Sequence, residues 1–326
     1  MTPIGAVAVA MVLGLLLGNG SGLPGAYLVA GIILLCFAAG YAAMSEHVTN
    51  AGAFYAYITK GLGRPAGVTA AFVALVAYNA IFCAVLGAVG AETHLVMQNQ
   101  LSINLPWEAW SAIALALIAL MGRRQVNLNA AILGVALALE IAMVTVLDIG
   151  ILTTKGLWAF SLHSFAPATI FAAGIDAGLV FAFNSFIGFE ATAIFAEEAK
   201  QPKRSVPRAT YIAIILIAVF YALTSWCLVS GAGGDLVQKT IAGTPGGPGN
   251  FLFAMNAQYV GGFTNHLIQY LLVTSLFAAL LATHNATARY FFALSREGLL
   301  PNALSRTHPK LKSPYVARAP RLRSAP

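Results

Sequence analysis

The chain has 326 residues, 59% of them apolar and only 9% charged, with a mean hydropathy of +0.79. An ordinary soluble domain is about a quarter charged, so a water-soluble globule is excluded. The formal net charge of +7 does not point to nucleic acid, because the basic residues lie between apolar blocks rather than gathered on one folded face.

The apolar blocks approach twenty residues, which suits a hydrocarbon core about 30 Å thick crossed at about 1.5 Å per helical residue. In chain order, eight membrane helices are predicted at roughly 4–18, 23–44, 68–97, 105–121, 130–152, 169–196, 211–229 and 267–293. The fold class is therefore an all-α integral membrane protein. Isolated strands cannot satisfy their backbone polar groups in lipid, and the alternating ten-residue pattern of a membrane barrel is missing. The N-terminus has no basic stretch and no clear cleavage site before its first apolar block, a poor fit to a removable signal peptide.

Assigning the connections alternately to the two sides gathers Lys60, Arg64, Arg123, Arg124, Lys200, Lys203, Arg204, Arg208 and the basic C-terminal stretch on one side. Only Lys155 and Lys239 fall opposite. By the positive-inside rule the first side is cytoplasmic, and both termini go with it in a cell membrane. Residues 49–60 read as a short amphipathic cytoplasmic helix carrying Phe54, Tyr55, Tyr57 and Ile58, stopped by Gly61, Gly63 and Pro65. The non-cytoplasmic connection over 231–265 reads as a long loop with TPGGPGN at its middle. Ser205 and Pro207 suit the start of the seventh helix.

Polar residues inside the apolar blocks are the candidates for chemistry. In the fifth block Glu140 stands in AILGVALALEIAMVTVLDIG, where an ionised carboxylate costs about 2.5–3.5 kcal/mol on insertion scales. It must be protonated, paired or hydrated, and a proton-coupling role and a structural bond to a facing helix stand as equal readings. Asp148, two turns on, reads as a solvated residue near the outer interface. In the sixth block the run Phe183, Asn184, Ser185, Phe186, Ile187, Gly188, Phe189 and Glu190 interrupts two apolar halves. If the helix unwinds there, freed carbonyls and the dipole of the second half are available to an ammonium group and a carboxylate. The other reading is a packing notch, with Asn184 and Ser185 bonding to neighbouring helices and Gly188 permitting close approach. Tyr78 and Asn79 read as interhelical bonds, while His284 and Asn285 lie towards the cytoplasmic mouth.

Several activities find no support. None of the six histidines forms HExxH, and no His or Cys set has zinc-ligand spacing, so neither a metal site nor a cofactor is expected. The three cysteines, Cys36, Cys83 and Cys227, sit singly in apolar blocks and read as small buried hydrophobes. Phosphate-binding Walker A and GxGxxG loops are missing, which argues against an ATP-driven pump.

Three blocks resemble the amino acid/polyamine/organocation (APC) family of amino acid permeases: TNAGAFYAYITKGLGRPAG at 49–67, FNSFIGFEATAIFAEEAKQPKRSVPRAT at 183–210 and ATHNATARYFFALSREGLLPNALSRTHP at 282–309. The resemblance implies a LeuT-like bundle of inverted repeats, with residues 1–152 as the first repeat, 153–312 as part of the second and 313–326 as a basic Pro/Ala/Arg tail. It further implies secondary transport of an amino acid, bound at breaks in the first and sixth helices. By that likeness Phe183, Asn184, Ser185, Phe186 and Gly188 line the site, and Gly5 and Ala6 contribute from the first helix. Glu140 and Glu190 are then coupling candidates, with a proton expected rather than sodium. Against the roughly twelve spans of the family, the first half of helix 1 and the closing helices are expected to be missing. The alternative is a shortened, non-transporting membrane fragment or interaction subunit.

Overall fold

A computed structural model describes residues 2–47, 54–124, 130–189, 202–301 and 303. Among these residues every regular element is helical. Ten helices carry the architecture: α1 (Pro3–Leu17), α2 (Leu23–His47), α3 (Phe54–Leu62), α4 (Arg64–Leu101), α5 (Trp107–Arg124), α6 (Ala130–Lys155), α7 (Ile175–Phe186), α8 (Pro202–Gly231), α9 (Phe251–Tyr259) and α10 (Gly262–Arg296). Five stretches are long and apolar enough to cross a bilayer: Gly20–Met44, Arg64–Leu101, Gly134–Lys155, Arg204–Gly231 and Gly262–Arg296. The other three predicted blocks appear as the shorter apolar helices Pro3–Leu17, Trp107–Met121 and Ile175–Phe186. The long helices present large apolar side chains outward, among them Ile32, Val76, Val135 and Ile212. In water such a surface would be an aggregation liability; against acyl chains it is the low-energy arrangement.

The chain divides into two compact units. One draws on Met1–Tyr41, Ala130–Phe189 and Arg208–Ser275, the other on Ala42–Asn129, Glu190–Pro207 and Leu276–Pro326.

The first unit is built around α1, which is apolar all round and buried accordingly: Ile4, Val7, Met11 and Leu15 have no exposed surface. Its middle, Ala6–Met11, is π-helical, a widened turn that recurs at functional sites. The start of α1 packs on α6, and the rest lies along α7. Glycines permit that contact. Gly14 and Gly18 on α1 meet Gly174, Gly178 and Phe181, and a Cβ on Gly18 would lie only 2.8 Å from both Cα and N of Gly178. Two GxxxG spacings thus bring two backbones together, the close approach that replaces hydrophobic driving force inside lipid. The last carbonyls of α1 have no helical amide of their own. Gln238 supplies donors instead, from Nε2 to Leu16 O at 3.3 Å and Gly18 O at 3.0 Å.

Gln238 belongs to the connection expected as a plain loop. That stretch instead forms the short helix Val237–Ala242 and then α9. Val237, Ile241, Phe251 and Leu252 are buried, and α9 packs on α6. The glycines of TPGGPGN mark the turn between two helices whose apolar residues were too few per helix to read as periodic. The sixth block also differs from expectation. Pro167–Ile170 is a separate turn of helix, and α7 begins only at Ile175, after Gly174 at φ 89°. The seventh begins at Pro202, before Ser205, so Pro207 lies inside α8.

In the second unit α3 packs on α4, and α4 on α5. Gly67 seats Thr59, and Gly90 sits against Ser111 and the Trp107 carbonyl. Ser102 ends α4 in the left-handed conformation, with its amide and that of Ile103 returning to Gln98 O and Met97 O. The expected amphipathic helix is present over its described part. Its Tyr55 is nearly buried, donates to Glu297 Oε1 at 3.0 Å and faces the Tyr290 ring at 6.3 Å. Cys36 and Cys83 are exposed rather than buried, and only Cys227 fits the expectation.

Candidate substrate site

The helix α7 stops inside the predicted interruption. After Phe186 the backbone turns extended at Ile187, with φ −55° and ψ 128°, and Gly188 follows at φ 113°. That φ is comfortable for glycine alone, because a Cβ would clash with the backbone. Carbonyls in the last turn of a helix have no following helical amide. Here the short-range amides of Ile187 and Phe189 take up Asn184 O and Phe186 O, at 3.1 and 3.3 Å.

The predicted residues have different surroundings. Asn184 places a buried Oδ1 in the last turn of α7 that has no hydrogen-bond partner among the described residues, an orphaned acceptor that a buried polar group rarely tolerates. Ser185 is fixed inward: its Oγ lies 3.0 Å from Tyr27 Oη on α2 and donates to Phe181 O at 3.2 Å. Phe186 is fully packed, Phe183 is half-buried and Gly188 is exposed. Phe189, in the turn, meets Phe37 and Tyr41 of α2 edge-on, each at 6.3 Å between ring centroids. Gly5 and Ala6 are buried at the start of α1, and Ala6 opens the π-helical stretch that packs on α7. Glu190 lies outside the described residues.

Glu140 joins three helices. Its Oε2 accepts from Ser275 Oγ of α10 at 2.8 Å and from the Ile4 amide at the N-terminal end of α1 at 3.3 Å. A carboxylate at that end is favoured by the helix dipole as well as by the amide. Asp148 is not simply solvated, contrary to expectation: it accepts from Thr224 Oγ1 of α8 at 2.8 Å, and the Cys227 thiol lies against it. Tyr221, one turn from Thr224, lies within electrostatic range of Glu140 and has its ring 5.6 Å from that of Tyr27. The first unit therefore holds two polar clusters, Asp148 with Thr224 and Cys227, and Glu140 with Ser275 and the Ile4 amide, besides the Tyr27–Ser185 bond. Sequence reasoning missed Tyr27, Tyr221, Thr224 and Ser275 because nothing local says which neighbour on another helix each one meets.

In the second unit the polar residues serve packing. Tyr78 meets Tyr290 at 4.9 Å and Phe82 meets His284 at 5.9 Å between centroids. Asn79 donates to Leu75 O of its own helix at 2.6 Å. Among the described residues no group of three His, Cys, Asp or Glu side chains is placed to hold a metal ion.

The chain matches the amino acid permease family over residues 3–319. It is similar to the branched-chain amino acid permease BcaP of Bacillus subtilis, 29% identical over 144 residues that make up 44% of this chain and 29% of that protein. It is also similar to an uncharacterized transporter of Rhizobium meliloti, 28% identical over 89% of this chain and 61% of that protein. BcaP of Lactococcus lactis is 25% identical over 88% of this chain and 63% of that protein. The chain thus spans less than two thirds of the length of these relatives. A match of that extent, on a chain whose described residues form only helices and include five stretches long and apolar enough to cross a bilayer, places the protein in the amino acid permease family, a family of membrane transporters and not of enzymes.

Proposed function

We propose that the chain forms the substrate-binding part of a secondary amino acid permease of LeuT-like architecture, crossing the cell membrane eight times with both termini in the cytoplasm. The observation that carries this reading is the end of α7, where Ile187 and Gly188 leave the helical conformation beside the orphaned Oδ1 of Asn184. Carbonyls of the last turn, with Asn184 Oδ1, suit an ammonium group, since both are acceptors. Phe183, Ser185, Phe186 and Gly188 shape that region, Ser185 and Phe186 by holding the helix end in place. Gly5 and Ala6 contribute from α1, whose π-helical turn at Ala6–Met11 supports the break that the family resemblance implies for the first helix.

An inverted-repeat arrangement is supported by the make-up of the two compact units, each of which takes helices from both halves of the chain. That is the pattern expected when repeats interleave. The amino acid substrate is supported by the relatives, which include branched-chain amino acid permeases and a serine/threonine exchanger. For coupling, Glu140 offers a membrane-embedded carboxylate tied to the start of α1, so that its charge state is linked to the helix that frames the site. A proton is therefore the coupling ion of choice, with Glu190 as the second candidate.

Uptake of radiolabelled amino acid into proteoliposomes tests the reading. Uptake driven by an inward proton gradient, abolished by a protonophore and by Asn184→Leu or Gly188→Leu, is the expected result. Sodium-dependent, pH-independent uptake removes proton coupling. Uptake that both substitutions leave intact removes the site, and binding without flux identifies a non-transporting unit.

A further inference from the structure

At the end of the first unit where α1 and α8 finish, their connections and the one after α6 enclose a cavity of about 380 Å³. That volume lies in the range of small-molecule sites, about 300–1,000 Å³. Ser21, Ser161, His163, Ser164, Ser230 and Asp235 give it a polar lining, and the proposed orientation puts it on the outer face. Its walls are braced by contacts of their own. Ser21 Oγ donates to Asp235 Oδ1 at 2.7 Å, and Trp226 Nε1 donates to Ser161 O at 3.0 Å. The Trp226 ring is met edge-on by Phe160 and Phe165, each at 5.2 Å between centroids, and His163 Nε2 lies 3.2 Å from the Thr169 hydroxyl. A site held open in this way needs little rearrangement to bind. It also stands apart from the substrate site, because α7 starts close to the end of α1 and carries Asn184 and Gly188 to its other end.

The lining selects the ligand. Ser164 and Ser230 are only 4% and 6% exposed, and neither hydroxyl has a hydrogen-bond partner among the described residues. Buried hydroxyls are rarely left so, and each can still donate and accept. Asp235 adds a carboxylate with one oxygen taken by Ser21 and the other open to a donor. No Lys or Arg lines the cavity among the described residues, so an anion would meet only repulsion from Asp235. An ammonium group, with three donors and a positive charge, matches both the carboxylate and the hydroxyl oxygens. An exposed ion pair alone contributes little, and the buried hydroxyls supply what it lacks. We propose that this cavity is a second binding site of the chain, for a small ligand with a primary ammonium group, held by the Asp235 carboxylate and the Ser164 and Ser230 hydroxyls. Asp235 is bonded to Ser21 just beyond α1, and Gln238 nearby caps α1, so a ligand bound here steadies the outer end of that helix.

The test uses the purified chain in lipid nanodiscs and probes of like shape: valine, isobutylamine, which lacks the carboxylate, and isovalerate, which lacks the ammonium group. Saturation-transfer NMR measures the affinity of each, and hydrogen-exchange mass spectrometry of the wild-type chain locates it. Valine and isobutylamine should bind and slow amide exchange in residues 229–235, and isovalerate should do neither. Asp235→Asn keeps the oxygen that accepts from Ser21 and should weaken both ammonium compounds by about tenfold or more, the loss expected for a hydrogen bond to a charged group. Ser230→Ala should weaken them several-fold. Tighter binding of valine than of isobutylamine identifies a free amino acid as the ligand, whereas equal or weaker binding identifies a simple amine. The proposal is overturned if neither ammonium compound binds, if isovalerate binds as well as isobutylamine, if Asp235→Asn leaves the affinities unchanged, or if exchange slows only around residues 184–189.

Discussion

Replacing Gly18 with alanine adds one methyl group at the closest approach of α1 and α7. The new Cβ would lie 2.8 Å from both Cα and N of Gly178, whereas carbon atoms rest at about 3.5–4.0 Å. Both opposing atoms are backbone, and Gly14 O of α1 lies closer still, so no side chain can swing away and the backbone must shift by several tenths of an ångström. Overpacking of this kind costs about 1–3 kcal/mol, or roughly 5- to 150-fold in the folded population at about 1.4 kcal/mol per decade. Gly178→Ala should cost less, because its nearest contact, at 2.6 Å, is the Asn19 side-chain oxygen rather than backbone, though moving it strains the Asn19 Nδ2 bond to Ile170 O at 2.8 Å. Gly87→Ala serves as control: nothing lies within 4 Å of its Cβ, and alanine is favoured over glycine in a helix by about 0.8–1 kcal/mol. Denaturant titrations in mixed micelles should therefore rank the variants Gly18→Ala, Gly178→Ala, Gly87→Ala from least to most stable. Equal stability of Gly18→Ala and Gly87→Ala would refute the close-packed seam.

Burial, and then the charge of Glu297, push the Tyr55 phenol above its usual value of 10. The neutral phenol is thus the folded form. Its stabilising bond is fully present below about pH 10 and is lost as pH rises through the elevated folded value. Tyr55→Phe should lower stability across the neutral range, by about 0.5–1.5 kcal/mol for a part-buried bond, and should flatten the alkaline loss that wild type shows. An alkaline unfolding curve unchanged by the substitution would count against the bond. Gln238→Ala should leave the Leu16 and Gly18 carbonyls without a side-chain donor and cost about 1–3 kcal/mol, read as faster backbone amide exchange in residues 237–242. Unchanged exchange there would mean that the connection does not cap α1.

Composition and block length were enough to place the apolar helices, because a bilayer imposes one length scale on every crossing. Gly188 and its neighbours revealed the end of α7 for the same kind of reason: a glycine between two apolar runs is a local signal, readable without neighbours. Glu140 was visible as an anomaly, but its partners were not. Ser275 is 135 residues away and Ile4 is 136, and no local pattern encodes that meeting. Asp148 was misread because its position near a helix end suggested water, whereas the covering groups come from α8. The glycine-rich connection after α8 was misread for the opposite reason, since its turn residues outweighed the few apolar positions that bury Val237, Ile241, Phe251 and Leu252.

The account turns on an amino acid seated at the end of α7. Phe183→Cys, in a background with Cys36, Cys83 and Cys227 changed to serine, puts a thiol in the last turn of α7 without disturbing Gly188, and its modification by a small polar thiol reagent can be timed with and without substrate. The expected result is that a transported amino acid slows labelling at position 183 and leaves unchanged the labelling of a control cysteine at Leu157, exposed outside the membrane-spanning stretches. Labelling at 183 that proceeds at the same rate at saturating amino acid would contradict it.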